Sequence, residues 1–294
     1  MTPPSSPLVS IVLPTLNGSR FIASSIASCL AQTYPHFELI VVDGGSRDGT
    51  LAIVAGFDDP RIRVVHQGDN QDKLPGALNI GFDASQGEYL TWTQDDDLYA
   101  PEALAVMVSH LQAHPAVGLV YTGYWRMDAA GRITGESEQH PPDALWYTNA
   151  VGHCFLYRRD LAAQAGAYDA AYYMAEDLQY WLRLYRLASV AQVPGCFFYH
   201  RLHEDSLTMK QYGRYFALRV AARARRRVLG LSWRRYQAQV AAAFIEEAFA
   251  AHAGHDSPRV RRCLLNGLLR NPAWLRNRGV WAIGFTHLTS WGRS

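Results

Sequence analysis

Nowhere do the 294 residues sustain the ~18–20 consecutive apolar positions that a membrane-crossing helix needs, so an integral helical membrane protein is not expected. The opening Met1-Thr2-Pro3-Pro4-Ser5-Ser6-Pro7 has neither a basic start nor an apolar core, so a secretion signal is not expected either. Cysteine is scarce. Cys29, Cys154, Cys196 and Cys263 lie far apart and form no CxxC pair and no zinc spacing. Each reads as a small buried hydrophobe, and a reducing cytoplasmic setting fits. Glycine-rich phosphate loops are missing too. The first apolar run leads into PTLNG rather than GxGxxG, and no GxxxxGK[ST] occurs. A Rossmann dinucleotide site and a P-loop are thereby excluded. There is no internal repeat.

What remains is a folded chain. Hydrophobic residues make up 49% and charged residues 18%, a balance that excludes intrinsic disorder. At roughly 150 residues per domain the length allows about two domains. The net charge of +2 conceals an asymmetry. Residues 1–200 hold 11 Lys and Arg against 21 Asp and Glu; residues 201–294 hold 17 against 5. An acidic body is joined to a basic tail.

The first half alternates strand-like and helix-like segments. Leu8–Leu13, Phe37–Val42, Ile62–His66 and Glu88–Thr93 are short apolar or β-branched runs. Between them Ser19–Gln32, Thr50–Phe57 and Pro75–Ser85 read as helices, the first with apolar residues at Ile22, Ile26, Cys29 and Leu30. Pro101 opens a further helix, Val117–Met127 reads as strand, 135–150 as loop, Glu176–Ala188 as helix and Val190–His200 as strand. Strands alternating with helices predict an α/β fold around a parallel sheet with both faces covered. From about Lys210 the composition turns to Arg, Ala and Leu, with no clear strand.

In such a sheet ligands bind beyond the carboxyl ends of the strands. Those ends carry Pro14-Thr15-Leu16-Asn17-Gly18, Asp43-Gly44-Gly45-Ser46-Arg47-Asp48-Gly49-Thr50 and Gln94-Asp95-Asp96-Asp97. Carboxylates without a glycine cradle suit a divalent cation that bridges a nucleotide's pyrophosphate to the protein. The plain alternative is a solvated turn ahead of the Pro101 helix. Three adjacent carboxylates repel one another, and a turn seldom carries them without a counter-charge.

These residues form a recognisable series. Val9-Ser10-Ile11-Val12-Leu13-Pro14-Thr15-Leu16-Asn17, Ser28-Cys29-Leu30-Ala31-Gln32-Thr33-Tyr34 and Glu38–Thr50 resemble the opening of family 2 glycosyltransferases with the GT-A fold. Ala77-Leu78-Asn79-Ile80-Gly81 and Gln86-Gly87-Glu88-Tyr89-Leu90 continue the likeness, which runs in order over residues 8–208. The resemblance implies a GT-A type α/β fold, with a mostly parallel central sheet flanked by helices and a C-terminal helical extension. It implies a nucleotide-sugar-binding half at 1–100, an acceptor-binding half at 101–208 and a basic helical extension at 209–294. It implies an inverting, metal-dependent enzyme that uses nucleotide sugars and Mn²⁺ or Mg²⁺.

Residue by residue, Thr15, Asn17, Asp43, Asn79 and Asp95 would line the nucleoside site. Asp96 and Asp97 would hold the metal. Two positions depart from the family pattern: Gln94 stands where its first Asp falls, and Gly44 where a second Asp is common. Glu176-Asp177 before Leu178–Leu184 resembles the family's Glu-Asp motif. An acceptor hydroxyl that attacks an anomeric carbon must lose a proton to a nearby base. Asp177 is the choice for that base, with Glu176 behind it. Acids also favour a helix N-terminus for its dipole alone. Arg201, His203 and Ser206 match the family's closing segment, Arg201 as a diphosphate contact and His203 as a metal ligand. His153 faces the acceptor or is an ordinary loop histidine.

The tail is read last. Arg214, Arg219, Arg223, Arg225, Arg226 and Arg227 share one expected helix, and Trp274 and Trp281 stand among Arg276 and Arg278. Such segments lie on anionic membranes, bind nucleic acid or dock on an acidic body. Peripheral contact with the inner membrane face is the expectation, with no nucleic-acid partner. The expected activity is sugar transfer from a nucleotide-diphosphate sugar to a hydroxyl of a glycan or lipid-linked acceptor, in cell-surface polysaccharide assembly. The rival is a non-catalytic nucleotide-sugar or glycan-binding module; the Glu176-Asp177 pair speaks against it, since binding alone needs no base. A nucleotidyltransferase would want a basic, Gly-rich loop after the first strand, and PTLNG is not one.

Overall fold

The computed structural model describes residues 6–68, 73–206 and 213–288. Leu207 and Thr208 of the closing segment lie outside the described residues, as does the side chain of Arg214. The chain divides into two compact units, Met1–His203 and Glu204–Ser294.

Unit 1 runs β1 (Val9–Thr15), α1 (Ile22–Leu30), β2 (Phe37–Asp43), α2 (Thr50–Ala55), β3 (Ile62–His66), α3 (Lys73–Ala84), β4 (Tyr89–Trp92), β5 (Leu98–Tyr99), α4 (Ala103–Ala113), β6 (Val117–Met127), β7 (Ile133–Glu136), β8 (Cys154–Arg158), α5 (Arg159–Ala165), α6 (Glu176–Leu187) and β9 (Ser189–Arg201). One sheet follows the order β3-β2-β1-β4-β8-β6-β9-β5, with β7 added on β6. The β3-β2-β1-β4 half is parallel, β8 joins it antiparallel to both β4 and β6, and β9 runs parallel to β6.

Alternation along the strands explains the layers. Val9, Ile11 and Leu13 of β1 and Leu39 and Val41 of β2 face a core with Ile22, Ile26 and Cys29 of α1, Val54 of α2 and Leu104, Met107, Val108 and Leu111 of α4. The intervening residues face α3, where Gly81 lies so close to Val12 and Val42 that a Cβ would clash with both. In β8, Cys154 and Leu156 belong to the first core, while Phe155 and Tyr157 turn to Trp181 and Tyr180 of α6. Strands buried on both faces are apolar along most of their length, which is why β1 and β2 read as near-continuous runs broken only by Ser10 and Glu38 before their polar ends. Edge strand β3 is mostly exposed and carries Arg63 and His66.

The structure differs from the sequence reading in four places. β5, β8 and α5 were not expected, and β7 ends inside the expected 135–150 loop, which also holds a 3₁₀ turn at Pro142–Trp146. β5 has two residues and β7 four, too short to show a period.

Unit 2 contains α7 (Gly213–Leu229), α8 (Trp233–Ala253), α9 (Ser257–Arg270), a 3₁₀ turn (Pro272–Arg276) and α10 (Arg278–Leu288). Phe244, Ile245 and Ala248 of α8 pack with Val260, Cys263 and Leu264 of α9 and Val280 and Ile283 of α10. Gly267 lets α9 approach Ile245 closely. The Arg row expected on one helix is not all at the surface. Arg225 is buried, and burial pushes its guanidinium down to about 10. Arg226 stacks on Trp233 and Tyr236 at 4.5 and 5.1 Å from their ring centroids. No helix among the described residues is long and apolar enough to cross a membrane.

Candidate active site

Three parallel strands end level with one another. Thr15 of β1 is in register with Asp43 of β2, and Asp43 with His66 of β3. Asp43 is buried and accepts from the N–H groups of Gly45 and Ser46, both at 3.1 Å, with His66 Nδ1 at 3.5 Å. Burial works against its charge, yet the donors from Ser46, Gly45 and His66 together hold the carboxyl below its usual range. Asn17 takes the left-handed conformation, φ +56°, which Asn tolerates better than most residues. Its Oδ1 accepts from Arg47 N at 2.9 Å, and its own N–H donates to Ser46 Oγ at 2.9 Å. The loops after β1 and β2 are thus tied into one floor.

The acidic turn follows β4, whose chain is held beside β1 by Thr93 N donating to Val12 O at 2.9 Å. Thr15 Oγ1 donates to Asp95 Oδ2 at 2.5 Å, and Gly18 lies against that pair where no side chain would fit. Burial pushes Asp95 up to about 6; the Thr15 hydroxyl opposes the shift, and Asp96 and Asp97 add to it. Asp96 is raised as well, by burial first and Asp97 next, with His203 opposing. Its Oδ2 lies 2.9 Å from His203 Nε2, and its buried Oδ1 has no hydrogen-bond partner. A buried carboxylate oxygen without a partner, beside an imidazole nitrogen, is a donor set that a divalent cation fits. Asp96 and His203, 107 positions apart in sequence, are brought together here.

Asp97 is placed differently. It is fully buried, accepts from Arg201 N at 2.7 Å and meets His200 Nδ1 at 3.1 Å. Asp97, His153 and His200 put ligand atoms within 4.8 Å of one another. The two imidazoles, however, are stacked 3.9 Å apart and 12° from parallel. Ring nitrogens bind a metal through lone pairs in the ring plane, and two near-parallel planes this close do not converge on one ion, so a ring would have to turn before both could reach it. Burial pushes His153 down to about 3, His200 adding to the shift, whereas Asp97 outweighs burial and raises His200. His153 is thus a neutral ring wedged between His200 and Tyr124.

Two expected nucleotide contacts have other partners. The Arg201 guanidinium is buried, donates from Nε to Asp96 O at 2.8 Å and from NH1 to Ala129 O at 3.2 Å, and lies over the Phe21 ring. These contacts brace the acidic turn through the Asp96 carbonyl. Asn79 exchanges both ends of its amide with the Tyr168 backbone, at 2.9 and 2.7 Å. It anchors the segment that stacks Tyr168 on Tyr180 of α6, with ring centroids 3.9 Å apart.

The Glu-Asp pair opens α6 after Met174, a non-glycine residue at φ +73°. Glu176 is buried, its Oε2 has no partner, and burial pushes it up to about 8, with Asp177 adding to the shift. Asp177 is partly exposed and also raised by burial. It keeps donors on both oxygens: Asn149 Nδ2 to Oδ2 at 2.7 Å and Leu178 N to Oδ1 at 2.6 Å. Of the two, Asp177, with a donor on each oxygen, is the better placed to carry charge, and Glu176, pushed up by burial and by Asp177, to keep a proton. Sequence reasoning missed Asn149, 28 positions before Asp177, and His200, because no local spacing links either to its partner.

With this geometry in hand, the comparisons with known proteins are specific. Residues 10–166 match the model of "Glycosyl transferase family 2". An uncharacterized glycosyltransferase of Rickettsia typhi is 29% identical over 227 residues, covering 72% of this chain and 70% of that protein. Among solved structures, S. aureus TarS 1–349 in complex with UDP-GlcNAc superposes with a TM-score of 0.65 at 18% identity, over 89% of this chain and 81% of that one. The mannosyltransferase PcManGT from Pyrobaculum calidifontis, in complex with GDP-Man and Mn²⁺, gives 0.60 at 19% identity over 98% and 88%. These likenesses establish a GT-A type fold with C-terminal helices.

Proposed function

The chain belongs to glycosyl transferase family 2 and is a glycosyltransferase by that membership, and from this premise we propose that it transfers a sugar, with inversion, from a nucleotide-diphosphate sugar to a hydroxyl of a glycan or lipid-linked acceptor in polysaccharide assembly. The observation that carries the reading is the pairing at the start of α6, where Asp177 has a donor on each oxygen, Asn149 Nδ2 and Leu178 N, while the buried Glu176 Oε2 has no hydrogen-bond partner. A partly exposed carboxylate that holds its charge beside a protonated neighbour is what a general base requires.

Thr15, Asn17 and Asp43 form the floor for the nucleoside, with Asp95 held in place by Thr15. Asp96 and His203 are the residues that would hold a divalent cation, Mn²⁺ or Mg²⁺. When bound, that cation supplies positive charge against the diphosphate that leaves. Asp97, fixed by His200 and Arg201 N, holds the chain next to Asp96 in place. In the reaction the acceptor oxygen bonds to the anomeric carbon, the bond from that carbon to the diphosphate oxygen breaks, and the acceptor proton passes to Asp177. Asn149 and Leu178 N hold the Asp177 carboxylate while the proton arrives. GDP-Man and UDP-GlcNAc are the ligands of the structural neighbours, and a nucleotide sugar of this class is the donor proposed here. The basic extension from residue 209 is read as the part that meets an anionic membrane surface and keeps the enzyme near its acceptor.

The test is Asp177→Asn. It should abolish transfer and leave the thermal shift produced by nucleotide diphosphates nearly intact. Wild-type turnover in that variant would remove Asp177 from the role.

A further inference from the structure

Unit 2 exposes large apolar side chains in an ordered way. On α9, Val260, Cys263, Leu264 and Gly267 are buried, and the opposite side shows Leu265 and Leu269, 60% and 73% exposed. These two are four residues apart and lie one turn above the other. Arg261 and Arg262 occupy the turn before them. On α10, Val280 and Ile283 are buried, while Trp281 and Phe285 are 50% and 64% exposed, again four apart, with Arg278 on the same side. The turn between the helices adds exposed Leu275 and Arg276. Residues 257–294 contain seven Arg and no Asp or Glu.

We propose that the outward face of α9 and α10 docks flat on an anionic lipid bilayer, with Leu265, Leu269, Trp281 and Phe285 entering the boundary between headgroups and acyl chains. This rests on the reading that the basic extension meets a membrane, and it narrows that reading to one face. Charge selects the occupant. Arg259 is paired with Glu247 of α8. Arg261, Arg262, Arg276 and Arg278 stand beside the exposed apolar side chains, with no acid among residues 257–288. Charge of one sign complements a partner of the other sign, which an anionic bilayer offers over a wide area. Apolar anchors between arginines are the pattern of helices that lie in the interface plane. The indole of Trp281 is prepared for that environment, because its Nε1 already donates to Leu275 O at 2.5 Å. Moving the ring out of water leaves no donor unpaired. No helix among the described residues is long and apolar enough to cross a bilayer, so the face lies on the membrane.

The experiment is co-sedimentation of the full chain with phosphatidylcholine vesicles, with and without phosphatidylglycerol, at low and high salt. The wild type should sediment with the anionic vesicles and stay in solution with the neutral ones. Trp281→Ser with Phe285→Ser should cut the bound fraction about tenfold with unchanged far-UV dichroism. Leu265→Ser with Leu269→Ser, on the other helix, should do the same and covers the case in which the first pair disturbs α10. Arg261→Gln with Arg262→Gln should weaken binding most at low salt. If both apolar pairs sediment like the wild type while the Arg pair does not, the electrostatic contact stands and the docking face is overturned. If the wild type binds no vesicle, both fall. A dimer in solution that the Trp281 and Phe285 substitutions dissociate, without vesicle binding, would make the face a protein interface and overturn the proposal.

Discussion

Asn149 Nδ2 donates to Asp177 Oδ2 at 2.7 Å, while Oε2 of the neighbouring Glu176 has no partner at all. Two adjacent carboxyls cannot both ionise without strong repulsion, and Asp177, with a side-chain donor on one oxygen and a backbone donor on the other, is the better placed to keep the charge. Asn149→Leu removes a donor and raises Asp177 further from its usual range. Transfer near neutral pH should fall about tenfold or more and recover as the pH rises. The measurement is the pH profile of kcat, whose acidic limb should move upward. An unmoved limb would separate Asn149 from the base.

Glu176 has the opposite signature. Its carboxyl is raised from 4.5 to about 8 in the folded protein, so the folded state holds a proton that the unfolded chain has lost between those values. Stability should then fall as pH rises from about 4.5 through about 8 and level off above. Glu176→Gln keeps the neutral form at every pH. Its Tm should exceed that of the wild type near pH 8–9, with the difference shrinking toward pH 5. A constant difference across this range would mean that Glu176 does not titrate with folding.

Much of the fold and part of the site could be read from the chain because they are written locally. β1 and β2 are buried on both faces, so apolar residues dominate them, and the polar pair within them, Ser10 and Glu38, is hydrogen-bonded across the two strands. The α1 stripe at Ile22, Ile26 and Cys29 has helical spacing, and the acids lie together at Asp95–Asp97. What could not be read is what three dimensions add. Arg201 looks like any basic residue near a phosphate site until its donors are found on the Asp96 and Ala129 carbonyls. Asn79 sits within a motif, yet its amide closes on Tyr168, 89 positions away. β8 pairs antiparallel with β4 and β6, and nothing in Cys154–Arg158 states that direction.

Asn79 gives a direct check on that last kind of residue. Asn79→Ala removes two hydrogen bonds to the Tyr168 backbone beside the buried Trp92, Tyr168 and Tyr180 rings. Unfolding in urea should show a loss of about 1–3 kcal/mol, since buried backbone groups are left unpaired. The KM for the nucleotide-sugar donor should stay near the wild-type value. A raised KM with unchanged stability would return Asn79 to the nucleoside site.

The acidic turn holds two groupings that a metal titration separates. Asp96 and His203 meet at 2.9 Å, with Asp96 Oδ1 buried and unpartnered, whereas the rings of His153 and His200 are stacked in near-parallel planes beside Asp97. If the cation sits on the first grouping, the Mn²⁺-dependent part of the thermal shift caused by a nucleotide diphosphate should vanish in Asp96→Asn and in His203→Ala. His153→Phe should keep it, because a neutral aromatic ring still fills the space against His200. Asp97→Asn should keep the metal dependence while lowering Tm, as the carboxylate that fixes His200 and Arg201 N is weakened. The reverse pattern, with the shift lost in His153→Phe and retained in His203→Ala, would place the ion on the stacked histidines and require one ring to rotate when it binds.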